Sequence, residues 1–483
     1  MPFAMNSPML HSVVLLALVS TVVSGCAVRR PYAAPVPAAP AAWSQDAPPP
    51  GDQEQLAAWW SAFDDAELSS LVERAVRANL DVKTAISRVR EARASVRSNR
   101  AGLRPTIDAS ASARASGNGK EAGFAGTSQS YSLGLDASWE LDVFGGIRSG
   151  VEAAEATAQA RLEDLRDVLV SLAAEVALDY IDLRSLQRRI EIARSNVALQ
   201  EQTLDLTQLR QQAGIGTDLE VQQALSNVES TRAQIAALER QASQTIHGLS
   251  VLLAEPPGGL IGELAPAGPI PVALIAIAVG VPAETLRRRP DVRSAERLLA
   301  AQWAQVNAAR ADLYPSFRLA GSIGLESLSI ARLLLPGAGA WSASPSASTR
   351  LFNREQLHQN VVTQSERQAQ AALTYESRVL GALQDVEDSM TGVAQEQSRR
   401  DHLAAAADAA QQAADLSLQL YTAGLRDFRE VLDAQRSLLT LQDSLASSTA
   451  SVSTELVRLY KTLGGGWSAE TMVPSDQRAS LTR

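Results

Sequence analysis

The residue type most open to covalent chemistry here is cysteine, and the chain has one, Cys26. It follows Ser24-Gly25 at the end of an apolar run that begins at Val13. That run is too short to span a membrane, and its order is that of an export signal with a lipoprotein cleavage site. A lone thiol cannot form a disulfide within its own chain. We therefore predict that residues 1–25 are a signal peptide and that Cys26 carries lipid such as palmitate.

No other set of residues has the spacing of a catalytic or metal site. The histidines are His11, His247, His358 and His402, which are isolated and have no Cys or carboxylate at a spacing that suits a metal site. A phosphate-binding loop and a nucleophile elbow are both absent from the sequence. The net charge is −9, and the sequence has no basic stripe that could neutralise the phosphates of a nucleic acid. The sequence thus predicts no enzyme, no cofactor, no metal and no nucleic acid partner.

Four short stretches alternate apolar and polar residues, which gives a strand one apolar and one wet face. A soluble sandwich strand gives the same alternation. Each stretch, however, holds roughly 10 to 13 residues, about what a tilted strand needs to cross a bilayer. The polar positions are rich in Ser, which suits a hydrated lumen, and aromatic residues lie near the segment ends, like an interfacial girdle. These aromatic residues are Tyr131, Trp139, Phe317 and Trp341.

An internal duplication appears when the chain is shifted by about 210 residues. Arg100, Leu103 and Pro105 then match Arg310, Leu313 and Pro315. Each copy is predicted to contain a short helix, a strand pair, a very long helix, a tight turn and a second short helix. Apolar residues at steps of three and four, such as Leu165, Leu169 and Leu172, predict coiled-coil seams in the long helices.

The predicted boundaries follow from this duplication. After the signal peptide come a lipidated tether (26–55), a first repeat (56–254), an inter-repeat equatorial segment (255–282), a second repeat (283–467) and a disordered tail (468–483). The strand pairs are expected at about 104–142 and 315–352, and the helical hairpins at 213–217 and 423–427. The run Val272–Val279 is predicted to be a small strand in a mid-body domain, with an interfacial anchor as the alternative.

Two glycines mark the hairpins. Gly214 and Gly424 suit a left-handed residue that ends a helix. Thr217 or Asp218 can cap the returning helix of the first copy, and Asp427 that of the second.

Several motifs resemble the outer membrane factor family, the TolC-like efflux channels, in their NodT-type lipoprotein branch. The resemblance covers essentially the whole mature chain. The matching segments are Trp59-Trp60, Trp139-Glu140-Leu141-Asp142-Val143-Phe144-Gly145-Gly146, Arg288-Arg289-Pro290-Asp291, Leu432-Asp433-Ala434-Gln435-Arg436 and Leu463-Gly464-Gly465-Gly466-Trp467.

The resemblance implies a mainly α fold with a transmembrane β part: a long α-helical coiled-coil barrel and four strands per chain in a trimeric twelve-stranded β-barrel. It also implies a Gram-negative outer membrane location, lipid anchoring through Cys26, and an antibiotic or metabolite efflux role. The implied partners are a periplasmic adaptor and an inner-membrane pump, with the adaptor docking on the hairpin tips at Gly214, Gly216, Gly424 and Leu425. Independently, four strands cannot close a barrel, so several chains must pool them.

The resemblance also suggests a periplasmic gate. The matching positions are Asp433 and Arg436, with Phe428 and Arg429 closer to the turn. Asp433 and Arg436 lie three residues apart on a helix and can pair on one face. Two alternatives to drug efflux stay open: the same duct serving type I protein secretion, or a lipid-anchored periplasmic coiled-coil scaffold without a channel.

Overall fold

The computed structural model describes residues 30–36, 39–44, 56–118, 126–273 and 282–467. The chain divides into two compact units. The strand unit comprises Met1–Val36, Val89–Arg161 and Ser294–Tyr375. The helical unit comprises Pro37–Arg88, Leu162–Arg293 and Glu376–Arg483. Cys26, the predicted signal peptide, most of the Val272–Val279 run and the predicted tail lie outside the described residues.

Helices make up most of the described chain. Their bounds are α1 Ala66–Ala78, α2 Leu80–Ala101, α3 Gly146–Gln212, α4 Asp218–Leu252, α5 Ile261–Leu264, α6 Pro282–Arg288, α7 Pro290–Ala311, α8 Glu355–Thr422 and α9 Phe428–Thr462. Short 3-10 helices occupy Trp59–Phe63, Ile330–Arg332 and Pro336–Ala338. Among the described residues, none of the helices combines the length and apolarity that crossing a bilayer requires.

The strand unit holds a four-stranded antiparallel sheet in the order β1-β2-β3-β4. The strands are β1 Thr106–Asn118, β2 Gly126–Leu141, β3 Ser316–Ser327 and β4 Gly339–Ser348. The predicted pairs are therefore present, and β2 also pairs with β3, with Leu141 opposite Phe317. This third pairing joins the two repeats, and the sequence did not predict it. Its consequence is that β1 and β4 form the two edges of the sheet.

The core of the helical unit lies along α3. Leu165, Leu169, Leu172 and Val176 are all buried, as the predicted seam requires. Trp59 is 1% exposed and stacks on Tyr460 with ring centroids 5.3 Å apart.

A buried ion pair ties α3 to two other segments of the helical unit. Arg184 is 3% exposed and pairs with Glu67. It also donates a hydrogen bond of 2.7 Å to the carbonyl oxygen of Pro266, in the segment that follows α5. The Tyr180 hydroxyl donates to Asp65, the N-cap of α1, at 3.0 Å. A buried charge is tolerated only with such partners, so this network fixes the start of α1 against α3.

Both long helices end as predicted at a left-handed glycine. Gly214 has φ +74° and Gly424 has φ +73°. The Ile215 N–H donates to the carbonyl of Arg210, and the Leu425 N–H donates to that of Leu420. These bonds satisfy carbonyls that the helix end leaves free, in the Schellman pattern.

The caps of the two returning helices differ. Thr217 accepts from the Glu220 N–H, and Glu220 accepts in return from the Thr217 N–H, which is a capping box. The prediction for Asp427 is wrong: it stands at the N-cap of α9 but makes no side-chain cap hydrogen bond. The carboxylate of Glu430, which would complete a box, pairs instead with Arg426 at 3.2 Å.

Candidate functional site

The polar positions of the sheet form one face, here called the hydroxyl face, in which serines pair across neighbouring strands. Facing oxygens lie 2.8 to 2.9 Å apart, and the pairs are Ser112 with Ser132, Ser116 with Ser128, Ser322 with Ser342, and Ser316 with Ser348. Ser110 donates to Asp136 at 2.6 Å. These groups are solvent-exposed in the single chain and hydrogen-bonded to one another, so this face of the sheet is polar.

The opposite face of the same sheet is apolar and uncovered in a single chain. Ile107 is 69% exposed, Ile323 66% and Trp341 80%. Ile323 lies opposite Trp341 in the β3–β4 register, so the apolar residues are neighbours. A soluble protein rarely leaves so continuous an apolar surface bare, together with two unpaired strand edges.

The two hairpin tips lie in the helical unit and expose aliphatic side chains. Ile215 is 66% exposed, Leu219 66% and Leu425 70%. At Gly216 an added Cβ would lie 3.0 Å from the backbone nitrogen of Gln211, so the turn permits only a close-packed backbone there. The predicted tip residues Gly214, Gly216, Gly424 and Leu425 thus all fall in the two turns.

Beneath the tips, an aromatic cluster packs the two hairpins together. Phe428 is 3% exposed and lies 5.3 Å from the Tyr421 ring. The guanidinium of Arg210 lies over the Tyr421 ring at 4.7 Å, and the Tyr421 hydroxyl donates to Glu220 at 3.5 Å. As a gate candidate Phe428 needs correction, because its ring is buried between hairpins and is not available to narrow an opening.

The predicted Asp433–Arg436 pair is not formed. The Nε of Arg436 donates to Oδ1 of Asn227 on α4 at 3.1 Å. Asp433 instead approaches Arg429 at 3.9 Å, with side chains 65% and 88% exposed. The reason is that Asn227, which is 5% exposed, offers Arg436 a buried acceptor that the spacing along α9 alone does not reveal.

Further polar contacts hold α9 against α3, and sequence reasoning missed them. Gln435 donates to the Thr203 hydroxyl at 2.8 Å, and both side chains are 2% exposed. Asn196 donates to Gln442 at 2.9 Å. Arg189 donates two bonds to Asp443, at 2.7 and 3.1 Å. A row of polar residues on the inner face of a long helix is the one sequence signal that could have indicated them.

The described residues contain no group of three or more His, Cys, Asp or Glu able to hold a metal ion. The geometry therefore provides one polar and one apolar face of the sheet. It also provides a set of polar contacts, here called the clasp, that holds α9 against α3 and α4.

Comparison with known proteins identifies the family. The family model "Outer membrane efflux protein" matches residues 71–255 and again 281–465. The chain belongs to the outer membrane efflux protein family. The double match also confirms the two repeats, and the family is one of channels and not of enzymes.

Curated members of this family are similar over nearly the full chain. Nodulation protein T of Rhizobium leguminosarum bv. viciae is 33% identical over 472 residues, covering 98% of this chain and 97% of that protein. The antibiotic efflux pump outer membrane protein ArpC of Pseudomonas putida is 30% identical, with 98% and 99% covered. The pyoverdine export outer membrane protein OpmQ of Pseudomonas aeruginosa is 33% identical, with 90% and 92% covered.

Solved channels of the efflux family share the fold. The outer-membrane channel OprN has a TM-score of 0.87 at 34% identity, over 92% of this chain and 100% of that one. The open-state outer membrane channel MtrE of Neisseria gonorrhoeae has a TM-score of 0.82 at 28% identity, over 93% and 100%. The predicted mainly helical fold with four strands is thereby confirmed.

Proposed function

We propose that this chain is the outer-membrane exit duct of a multicomponent efflux pump, through which drugs or other small molecules leave the cell without chemical change. The observation that carries the proposal is the sheet, which has one hydroxyl face, one exposed apolar face and two free edges. In lipid an open edge is not tolerated, so several copies must join their sheets. Three copies give twelve strands, with the hydroxyl face toward water and the apolar face toward lipid.

The energy for transport comes from partner proteins. An inner-membrane pump and a periplasmic adaptor fill that role in the proposal. The exposed aliphatic side chains at the two hairpin turns, Ile215 and Leu425, suit an adaptor that buries apolar surface. Gly214, Gly216 and Gly424 give these turns their shape.

The gate of the duct is the clasp between α9 and its neighbours. Arg436 is its candidate key residue, through Asn227 and not through Asp433. Opening would separate α9 from α3 and α4, so the buried Gln435–Thr203 bond would break in the same movement. A closed state held by several polar bonds at once is one that a bound partner can unlock, provided that the partner binds the open state more tightly.

Lipid on Cys26 is the proposed anchor in the outer membrane, and the residues that follow it support this role. The arm at residues 30–36, which includes part of the predicted tether, is bound to α7. The carbonyl oxygen of Arg30 accepts from Trp303 Nε1 and from Asn307 Nδ2, both at 2.9 Å. The Tyr32 hydroxyl donates to Glu296 at 2.7 Å. Arg30 thus lies near the end of α7 that leads into β3. The chain advances by four residues from Cys26 to Arg30, and four residues can span at most about 14 Å.

Planar-bilayer recording tests the duct. Purified full-length protein should give discrete conductance steps, and a Cys26→Ser variant should still need detergent because its apolar face remains. A protein that dissolves in plain buffer once the lipid is removed and never conducts would instead be a periplasmic scaffold.

A further inference from the structure

An aromatic contact closes the junction between the first strand pair and its long helix. Phe144 follows β2 and stacks on Tyr314 with ring centroids 4.8 Å apart. Its ring also lies 6.4 Å from that of Phe317. Gly145, with φ +80°, makes the turn that aims Phe144 at these partners. Both partners belong to the second repeat, at the start of β3, so this contact joins one repeat to the next.

The second strand pair ends in the same way. Leu351-Phe352-Asn353 stands where the first copy has Val143-Phe144-Gly145, and Asn353 adopts the left-handed conformation with φ +56°. Asn is among the few residues other than glycine that visit this region readily. The junction is therefore built as a turn of the same kind.

A second pair of contacts supports the equivalence of the two junctions. The indole N–H of Trp139 donates to the carbonyl of Leu103 at 3.1 Å. In the second copy, Arg354 donates to the carbonyl of Leu313 at 2.9 Å. Leu103 and Leu313 are matched by the internal repeat, so different side chains satisfy the same carbonyl.

The difference lies in what the aromatic ring touches. Phe352 is 88% exposed and Leu351 is 75% exposed. Phe144 finds Phe317 on β3, beside β2, and Tyr314 just before that strand, but β4 lies at the edge of the described sheet. The repeat equivalents of Tyr314 and Phe317, at an offset of about 210 residues, are Arg104 and Ile107. They lie at the start of β1, the other edge strand, where Ile107 is 69% exposed.

We propose that Phe352 of one chain packs on Arg104 and Ile107 of a second copy, as Phe144 packs on Tyr314 and Phe317 within the chain. The proposal rests on the proposed function, because it needs a ring of copies. The guanidinium of Arg104 can lie over the Phe352 ring, and Ile107 supplies an apolar side. The contact sets β4 antiparallel to β1 of the next copy, because the end of β4 then meets the start of that β1. It also keeps the apolar parities of both strands on one face.

Cross-linking of introduced cysteines tests this contact in the full-length lipoprotein. Phe352→Cys combined with Ile107→Cys, treated with a short bis-maleimide, should give covalent dimers and trimers on a denaturing gel. The matched control is Phe352→Cys with Leu328→Cys. Leu328 is 78% exposed, but it follows the last residue of β3, at the end of the strand away from Phe317. The unmodified chain controls for Cys26, which is blocked if lipidated.

The outcomes separate this inference from the proposed function. Bands from the first pair well above the control pair support the contact. An assembled, conducting protein in which the two pairs cross-link equally would overturn the contact and leave the duct intact. A protein that stays monomeric by native mass spectrometry and does not conduct would overturn both.

Phe352→Ala gives an independent readout. The side chain is exposed within one chain, so its removal should leave the helical content unchanged while the oligomer dissociates at a lower temperature in SDS. If the ring only touches lipid, the dissociation temperature will not move.

Discussion

The side-chain amide of Asn79 donates a hydrogen bond of 2.9 Å to the carbonyl oxygen of Leu252, the last residue of α4. Its own Oδ1 accepts from the N–H groups of Asp81 and Val82, at the start of α2. One buried carboxamide therefore satisfies the end of one helix and the beginning of another. In the second repeat, Arg289 donates to the carbonyl of Thr462 at 3.2 Å, so a different side chain makes the equivalent link between α9 and α7.

Asn79→Ala should lower the free energy of unfolding by about 2–4 kcal/mol, because it removes an N-cap and leaves a carbonyl unsatisfied at a buried site. Asn79→Ser introduces no charge and keeps a hydroxyl acceptor for the cap of α2 while it loses the amide donor to Leu252, so its cost should be about half. Denaturant titration followed by tryptophan fluorescence measures both. Equal losses for Ala and Ser would show that the cap contributes nothing.

Ala254→Gly should stabilise the chain by about 0.5–1 kcal/mol. Ala254 is an exposed residue with φ +57° that follows Leu253, the C-cap of α4. A side chain in that region of backbone conformation costs about 1–2 kcal/mol, offset in part by the freedom that glycine adds to the unfolded chain. Gly424→Ala is the matched reversal, because an added Cβ there meets nothing within 4 Å. Thermal unfolding should move in opposite directions for the two variants, and a shift of the same sign would contradict the backbone argument.

Arg436→Ala should raise the resting conductance of the duct more than Asp433→Ala does. Arg436 bonds to Asn227 across helices, whereas Asp433 has only a long, exposed approach to Arg429. Exposed pairs of that kind contribute under about 1 kcal/mol. Bilayer recordings of both single variants, of Asn227→Ala and of Arg436→Ala with Asn227→Ala measure the coupling. Additive effects in the double variant would remove this bond from the gate.

Asp179 should contribute a fall in stability as pH rises from about 4 to about 6. Burial, with Glu175 and Asp182 nearby, raises the pKa of Asp179 to about 6. A carboxyl that holds its proton more tightly when folded favours the folded state at low pH, and that advantage is lost as pH rises through the folded pKa. Asp179→Asn should remove this part of the pH dependence of the free energy of unfolding. The stability of the variant relative to the wild type should therefore increase up to about pH 6 and stay constant above it. Asp205→Asn, at an exposed position of α3, serves as the control.

The arm before Val36 should resist proteolysis while it is bound to α7. Asn307→Ala removes a donor to the Arg30 carbonyl, and Tyr32→Ala removes the bond to Glu296. Both variants should speed tryptic cleavage after Arg29 in detergent-solubilised protein. Asn99→Ala, at an exposed site on α2, should not. Equal rates in all four proteins would indicate that the arm is free in solution.

Sequence patterns predicted the parts of the fold that obey a local rule. The period-2 stretches located four strands and their faces, and Gly214 and Gly424 located both turns. What they missed depends on neighbours far along the chain: the pairing of β2 with β3, the bond from Arg436 to Asn227, and the docking of the arm on α7. Spacing along α9 shows which side chains can meet on one helix, but packing against α4 decides which of them do. The missing cap at Asp427 is a local exception: the N-cap forms no side-chain hydrogen bond, and the carboxylate of Glu430 pairs with Arg426 only four residues away.

The paired serines of the hydroxyl face bear on which cargo can pass. A pair such as Ser112 and Ser132 is uncharged and joined by one hydrogen bond of 2.8 Å, which leaves one hydroxyl hydrogen and several lone pairs free to bind water. A surface made of such pairs is readily hydrated, and the pairs do not hold any one solute through a charge. Passage through the outer membrane would then depend on the size of the solute. Selection of the cargo would take place earlier, before the solute reaches the hydroxyl face.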